Sequence, residues 1–262
     1  MARQVSRNVR HDQHFSYDGN MEERFINPAR PDEIVKELFH DNSDVLNEFS
    51  SQFSKELLEF AELFSEAYKK YLELNHLIKD NENKQKAYVS GLAYLLLDNL
   101  LTSVKLFIMG YEIPSGNLMR QVIESVALAT LCSLKDKIRI STKHNKTKDI
   151  HFYTSFINHK SEAKSFLALK HLEANYDNLG INEDAINALK KSRTFYHGYS
   201  HPGEFSLAST MSFEKPGKIF IGGSFDKGKM EQYKKELIQR INFCKILPNI
   251  VEGLIYRVKQ LP

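Results

Sequence analysis

Cysteine is almost missing from this chain: Cys132 and Cys244 are the only two in 262 residues. They are too few for a disulfide framework and show no CxxC spacing. Each sits in an apolar stretch of helical periodicity, which suits a buried thiol in a reducing compartment. Glycine and proline are also sparse, at 12 and 7 residues, which excludes fibrous and low-complexity classes. No apolar run reaches the roughly 18 residues of a membrane span. Residues 1–30 are polar and arginine-bearing, with no apolar signal core. A cytoplasmic protein with no membrane partner is therefore expected. The chain has no GxGxxG, and the glycines of Ile221-Gly222-Gly223-Ser224 precede no phosphate-binding lysine. Rossmann and P-loop nucleotide folds are disfavoured. A GxSxG elbow, a kinase signature and an RNP aromatic motif are missing as well.

What remains is 42% hydrophobic and 26% charged, with a net charge of +3. That length and hydrophobic content can bury a full core, and a balance so close to neutral neither demands nor excludes an acidic partner. The expected organisation is a polar, poorly ordered segment over residues 1–30 and one helical domain over residues 31–262. Pro31-Asp32-Glu33 open a short helix. Over residues 43–78, Leu46, Phe49, Phe53, Leu57, Phe60, Phe64, Tyr68, Tyr71 and Leu74 recur every three or four positions, predicting one long helix. A third helix spans residues 82–109 and stops at Gly110. A fourth begins at Pro114-Ser115, and its apolar residues cover nearly the whole circumference, which places it at the centre of the bundle.

Residues 135–148 hold Lys135, Lys137, Arg139, Lys143, Lys146 and Lys148 against the single acid Asp136. This stretch reads as a basic, mobile connection. Helices resume over residues 148–159 and 161–178, and again from an Asn182 cap followed by Glu183 and Asp184. Glu214-Lys215-Pro216-Gly217 is hairpin-loop chemistry and predicts a small β-hairpin over residues 205–221. Asp226 caps a last helix that runs to about residue 260, with a bend at Pro248. The fold class is all-α: a multi-helix bundle of long antiparallel helices with a small hairpin insertion.

Chemistry concentrates in Arg193-Thr194-Phe195-Tyr196-His197-Gly198-Tyr199-Ser200-His201-Pro202-Gly203. Arg193 and His197 are four apart and so share a helical face. A forked guanidinium beside an imidazole that exchanges protons near neutral pH suits metal-independent phosphodiester cleavage. Two histidines can divide the base and acid roles. Pro202 pushes His201 out of the α region, so His201 marks the helix end. In the structural alternative, Tyr196, Tyr199 and the histidines close a bundle end by bonding backbone carbonyls. The His197-x-x-x-His201 spacing also matches two zinc ligands, but no HExxH glutamate or cysteine cluster accompanies it. No metal and no cofactor is expected. Arg120, Gln121 and Glu124 interrupt the apolar fourth helix, either as an internal ion pair or as support for the histidines. Asp98 and Asn99 read as a buried hydrogen-bond network. His144, His151, His159 and His171 read as surface residues.

A helical bundle with Arg120-x-x-x-Glu124 in a central helix, and with Arg193 followed by His197 and His201 at the end of another, resembles the HEPN superfamily. Residues 43–202 carry the resemblance. It implies a metal-independent endoribonuclease of a defence or toxin-type system, working as a homodimer with the motif at the interface. Arg193 would hold the scissile phosphate, His197 and His201 would act as base and acid, and Arg120, Glu124, Tyr196 and Ser200 would support them. Some members are non-catalytic, so a bundle that binds RNA, a nucleotide or a protein partner is the alternative. The family motif has four to six residues between arginine and histidine, whereas here three separate Arg193 from His197 and seven separate Arg193 from His201. The basic stretch would attract RNA in a salt-dependent way.

Overall fold

A proline at the first helical position with Asp32 and Glu33 in the first turn forms α1 (Pro31–Leu38), as those residue types favour. The computed structural model describes residues 27–78, 82–141 and 147–262. The chain divides into two units, Met1–His40 and Asp41–Pro262. Within the first, α1 buries no residue, and residues 1–26 of the polar segment lie outside the described residues.

The single long helix expected over residues 43–78 is two helices, α2 (Ser43–Gln52) and α3 (Ser54–His76). Phe53 leaves helical geometry at φ −123° and ψ 25°. The reason lies in packing. Phe49 and Phe53 belong to a small aromatic core with Phe107 and Tyr233, and the Phe49 ring lies 5.3 Å from Phe107 and 4.8 Å from Tyr233. Turning the chain at Phe53 lets it fill that cluster while α3 lies along the last helix. Periodicity misses the break because both helices keep the same apolar phase.

Asn83 caps α4 (Lys84–Ile108) by accepting from the amides of Gln85 and Lys86. The helix stops at Gly110, whose φ is +81° and whose missing Cβ would lie 2.2 Å from the Ser224 amide nitrogen. α5 (Glu112–Cys132) follows and buries most of its circumference, as its sequence predicts. It begins two residues before Pro114, which sits in the first turn where no amide donor is needed. α4 and α5 form the most extensive helix pair. By length and composition α4 is apolar enough to cross a membrane, and half of its most apolar stretch is buried inside the bundle.

In its described residues the basic connection forms a hairpin: β1 (Ile138–Ser141) pairs antiparallel with β2 (Thr147–Ile150), Ile138 opposite Ile150. Ile138 and Ile140 point inward and Arg139 outward. Alternation was present in Ile-Arg-Ile-Ser, but the charge of the stretch hid it. Lys143, His144 and Lys146 lie outside the described residues. The hairpin expected over residues 205–221 is reduced to one bridge between Met211 and Ile219. Phe205 enters a helix there because its ring packs on Gly198 and Phe195.

α6 (Phe152–Ile157) is followed by two 3₁₀ turns and α7 (Ala168–Glu173), shorter than the helix expected from Ser161 because Lys164 is extended at ψ 149°. Asn182 caps α8 (Glu183–His197) by accepting from the Asp184 amide at 2.7 Å. A 3₁₀ turn, Gly198–Ser200, and α9 (Glu204–Thr210) come next. Asp226 caps the turn before α10 (Met230–Gln260), which continues through Pro248. The same carboxylate accepts from the Phe213 and Glu214 amides, pinning that loop. Cys132 and Cys244 are buried free thiols, each pushed up to about 12 by burial. The result is an all-α bundle with one small two-stranded hairpin.

Gly116 of α5 marks where this bundle meets the turn after α8: a Cβ there would lie 2.4 Å from the Tyr199 ring. Gly116→Ala is expected to cost about 1–3 kcal/mol through overpacking. Urea denaturation should show a lower midpoint at unchanged slope.

Candidate functional site

The end of α8 divides its side chains between two environments. Tyr196 and Tyr199 are buried, at 1% and 3% exposure, whereas His197 and His201 lie on the surface. After His197 the backbone tightens into the 3₁₀ turn. His201 is then extended at φ −131° and ψ 145°, as a residue preceding proline must be. That change of direction folds the His201 ring back onto His197, with centroids 4.5 Å apart and planes at 68°. Ser206 Oγ donates to the His201 carbonyl at 2.8 Å, fixing the turn from its far side.

The other proposed site residues are not all gathered there. Arg193 donates from Nη2 to the Phe166 carbonyl at 3.2 Å. Arg120 and Glu124 form an ion pair within α5, Nε to Oε1 at 3.1 Å, partly buried. Among the described residues, their hydrogen bonds are to each other and not to either histidine. Ser200 does cross to α5, donating from Oγ to Asn117 Oδ1 at 2.7 Å. Asn117, Arg120, Gln121 and Glu124 follow helical spacing, so they form one polar stripe along α5. Asn117 was missed in the sequence, although its position three residues before Arg120 is a visible extension of that stripe.

Beneath the segment lies a buried polar network that sequence patterning did not reveal. Tyr199 Oη donates to Glu236 Oε1 at 2.6 Å. The other Glu236 oxygen pairs with Arg240 Nη1. Arg240 also donates to Ser103 Oγ at 3.1 Å and to Ser115 Oγ at 2.7 Å. Its guanidinium lies 4.8 Å from the Phe107 ring centroid and 5.7 Å from that of Tyr196. Nearby, Lys229 pairs with Glu112 at 3.2 Å and donates to the Ser209 carbonyl at 2.9 Å. Gln232 donates to the second Glu112 oxygen at 3.0 Å. Glu236 and Arg240 are only 2% and 1% exposed. Their signal was phase: they share a stripe with Tyr233, Leu237 and Cys244, which are buried.

Burial raises both Tyr199 and Tyr196 above the ordinary phenol range. It also pushes the Glu112 carboxyl up to about 7, against the pull of Lys229. Two sequence expectations do not hold. Asp98 is exposed, and buried Asn99 leaves its Nδ2 without a hydrogen-bond partner, so the two form no buried network. His171 is buried, its Nε2 bonded to the Glu162 carbonyl at 2.7 Å. Burial also holds the His171 imidazole below its ordinary range. Among the described residues, no group of three or more His, Cys, Asp or Glu side chains is placed to hold a metal.

Comparison with known proteins gives no further guide: no family model, no curated protein and no solved structure matches the chain.

The Glu112 carboxyl yields a pH prediction. Between the ordinary carboxyl value of 4.5 and about 7, the folded state keeps a proton that the unfolded chain has lost. Its contribution is therefore full below the lower value and is lost as pH rises through the upper one. Unfolding free energies of the wild type from urea titration should fall relative to Glu112→Gln across that window, by at most about 1.4 kcal/mol per pH unit. Parallel pH profiles would contradict the assignment.

Proposed function

We propose that this bundle is a HEPN-like, metal-independent endoribonuclease with its reaction centre at the end of α8. The observation that carries the reading is the contact of two surface imidazoles, His197 and His201, at 4.5 Å. An acid and a base side by side are what cleavage of an RNA phosphodiester requires. One imidazole takes the proton of the ribose 2′-hydroxyl, and the 2′-oxygen attacks phosphorus. The other imidazole protonates the departing 5′-oxygen, so a 2′,3′-cyclic phosphate and a 5′-hydroxyl end result. Arg193, one turn before His197, stabilises the charged phosphate with the donors that Phe166 does not occupy. Ser200 and buried Tyr196 set the turn in place, and Arg120 with Glu124 extends the polar surface along α5. The proposed setting is the cytoplasm, and the proposed working unit is a homodimer.

Purified protein incubated with total RNA in EDTA should cleave it, leaving cyclic phosphate ends. His197→Ala and His201→Ala should each slow cleavage by about 10²- to 10⁴-fold, with melting temperatures near that of the wild type because both side chains are exposed. Equal cleavage by all three proteins ends the catalytic reading. RNA retained without cleavage, and lost in both variants, is the outcome of a non-catalytic binding bundle.

A further inference from the structure

Between the β1–β2 hairpin and the last turns of α10 lies a half-open cleft of about 680 Å³. Small-molecule sites occupy roughly 300–1,000 Å³. Four cations line it, Lys135, Lys137, Arg139 and Arg257, against two carboxylates, Asp136 and Asp149. Asp149 is occupied by Arg139 at 3.2 Å. Three cations are thus left to a single carboxylate. Neither Lys135 nor Lys137 forms an ion pair among the described residues.

The lysines are not needed to cap the helix that ends beside them. Gln85 Nε2 already donates to the Cys132 and Leu134 carbonyls at 2.8 and 3.0 Å, and Ser133 Oγ donates to the Thr130 carbonyl at 2.7 Å. The wall that carries Arg139 is held in place. The Asn175 side chain accepts from the Arg139 amide at 3.2 Å and donates to its carbonyl at 2.8 Å. Arg257 is partly buried, and its hydrogen bond is a long one, 3.3 Å from Nη2 to the Leu179 carbonyl. No carboxylate pairs with it among the described residues. Desolvation accordingly holds its guanidinium below the ordinary arginine range. A guanidinium drawn out of water with so little compensation is stabilised by an anion. Beside it, Tyr256 is 68% exposed on the rim, a flat ring of the kind on which bases stack.

We infer that this cleft binds a nucleoside phosphate, with Arg257, Lys135 and Lys137 on the phosphate and the Tyr256 ring against the base. The inference does not rest on the histidine pair. Leu179 precedes the start of α8, whereas His197 ends it, and a helix of 15 residues spans about 22 Å. Either reading can fail without the other. The same ligand chemistry arises from a free nucleotide or from a phosphorylated RNA end.

Calorimetric titration at low salt with the four nucleoside monophosphates provides the test. Saturable binding is expected, with inorganic phosphate alone and each nucleoside alone at least about tenfold weaker. Tyr256→Ala should weaken binding by about 5- to 100-fold. Lys135→Gln combined with Lys137→Gln, both on exposed side chains that the fold does not use, should weaken it by about tenfold or more. Arg257→Met should do the same, and circular dichroism checks its fold. A 5′-phosphorylated trinucleotide that binds more tightly than the mononucleotide assigns the cleft to an RNA end. One that binds no more tightly assigns it to a free nucleotide. Absence of saturable binding by every nucleotide overturns the proposal, as does phosphate binding as tightly as the nucleotides or the lysine variant binding like the wild type.

Discussion

Glu236 and Arg240 sit one turn apart on α10, almost entirely removed from water, and the arrangement around the end of α8 depends on them. Removing a carboxylate and a guanidinium from water is costly, and the mutual attraction offsets that cost only when the remaining lone pairs and donors are also satisfied. They are satisfied here. One Glu236 oxygen takes the Arg240 guanidinium and the other takes the Tyr199 hydroxyl. The Arg240 donors reach Ser103 on α4, Ser115 on α5 and the Glu236 carbonyl. Ser103 and Ser115 also bond across the α4–α5 pair, each hydroxyl donating to the other's backbone carbonyl at 3.1 and 2.8 Å. Three long helices and the turn after α8 are thereby held by one set of charge-assisted bonds. Its main contribution is positional, because well-packed apolar residues often match a buried ion pair in stability.

From that anchor the division of the α8 end follows. Tyr199 must face inward to reach Glu236, and Gly116 leaves room for its ring. The 3₁₀ turn that delivers Tyr199 also presents His197 on its outer side. Pro202 then extends His201, and the two imidazoles meet. The bonds to backbone carbonyls expected of Tyr196, Tyr199 and the histidines are not made among the described residues: Tyr199 reaches a carboxylate, Tyr196 Oη is buried without such a partner, and both imidazoles lie on the surface.

Much of the fold was legible because its signals are local. Asn182 caps a helix, Gly110 ends one, and the all-round apolar character of α5 marks the centre of the bundle. Errors arose where tertiary contacts override local pattern. Phe53 breaks a continuous stripe to join Phe49, Phe107 and Tyr233, and the lysines near Ile138 and Ile140 masked a strand. The helix end at His201 was legible from Pro202, whereas the meeting of the His197 and His201 imidazoles was not, because sequence spacing pairs His197 with Arg193 instead. Glu236, Arg240, Lys229 and Glu112 were not. Helical charges one turn apart read as an exposed ion pair unless their phase is compared with the buried stripe, and the partners Ser103 and Ser115 are distant in sequence.

The central claim is that the buried carboxylate of Glu236, through Tyr199, holds the histidine-bearing turn. Hydrogen exchange on Tyr199→Phe tests it most directly, because the substitution removes one hydroxyl and leaves the ring. A hydrogen bond to a charged group contributes about 1.5–3 kcal/mol, so the amides of residues 198–200 should exchange at least about tenfold faster. The amides at the centre of α4 and α5 should keep their protection. Unchanged exchange across residues 198–200, or an equal loss throughout the bundle, would contradict the account.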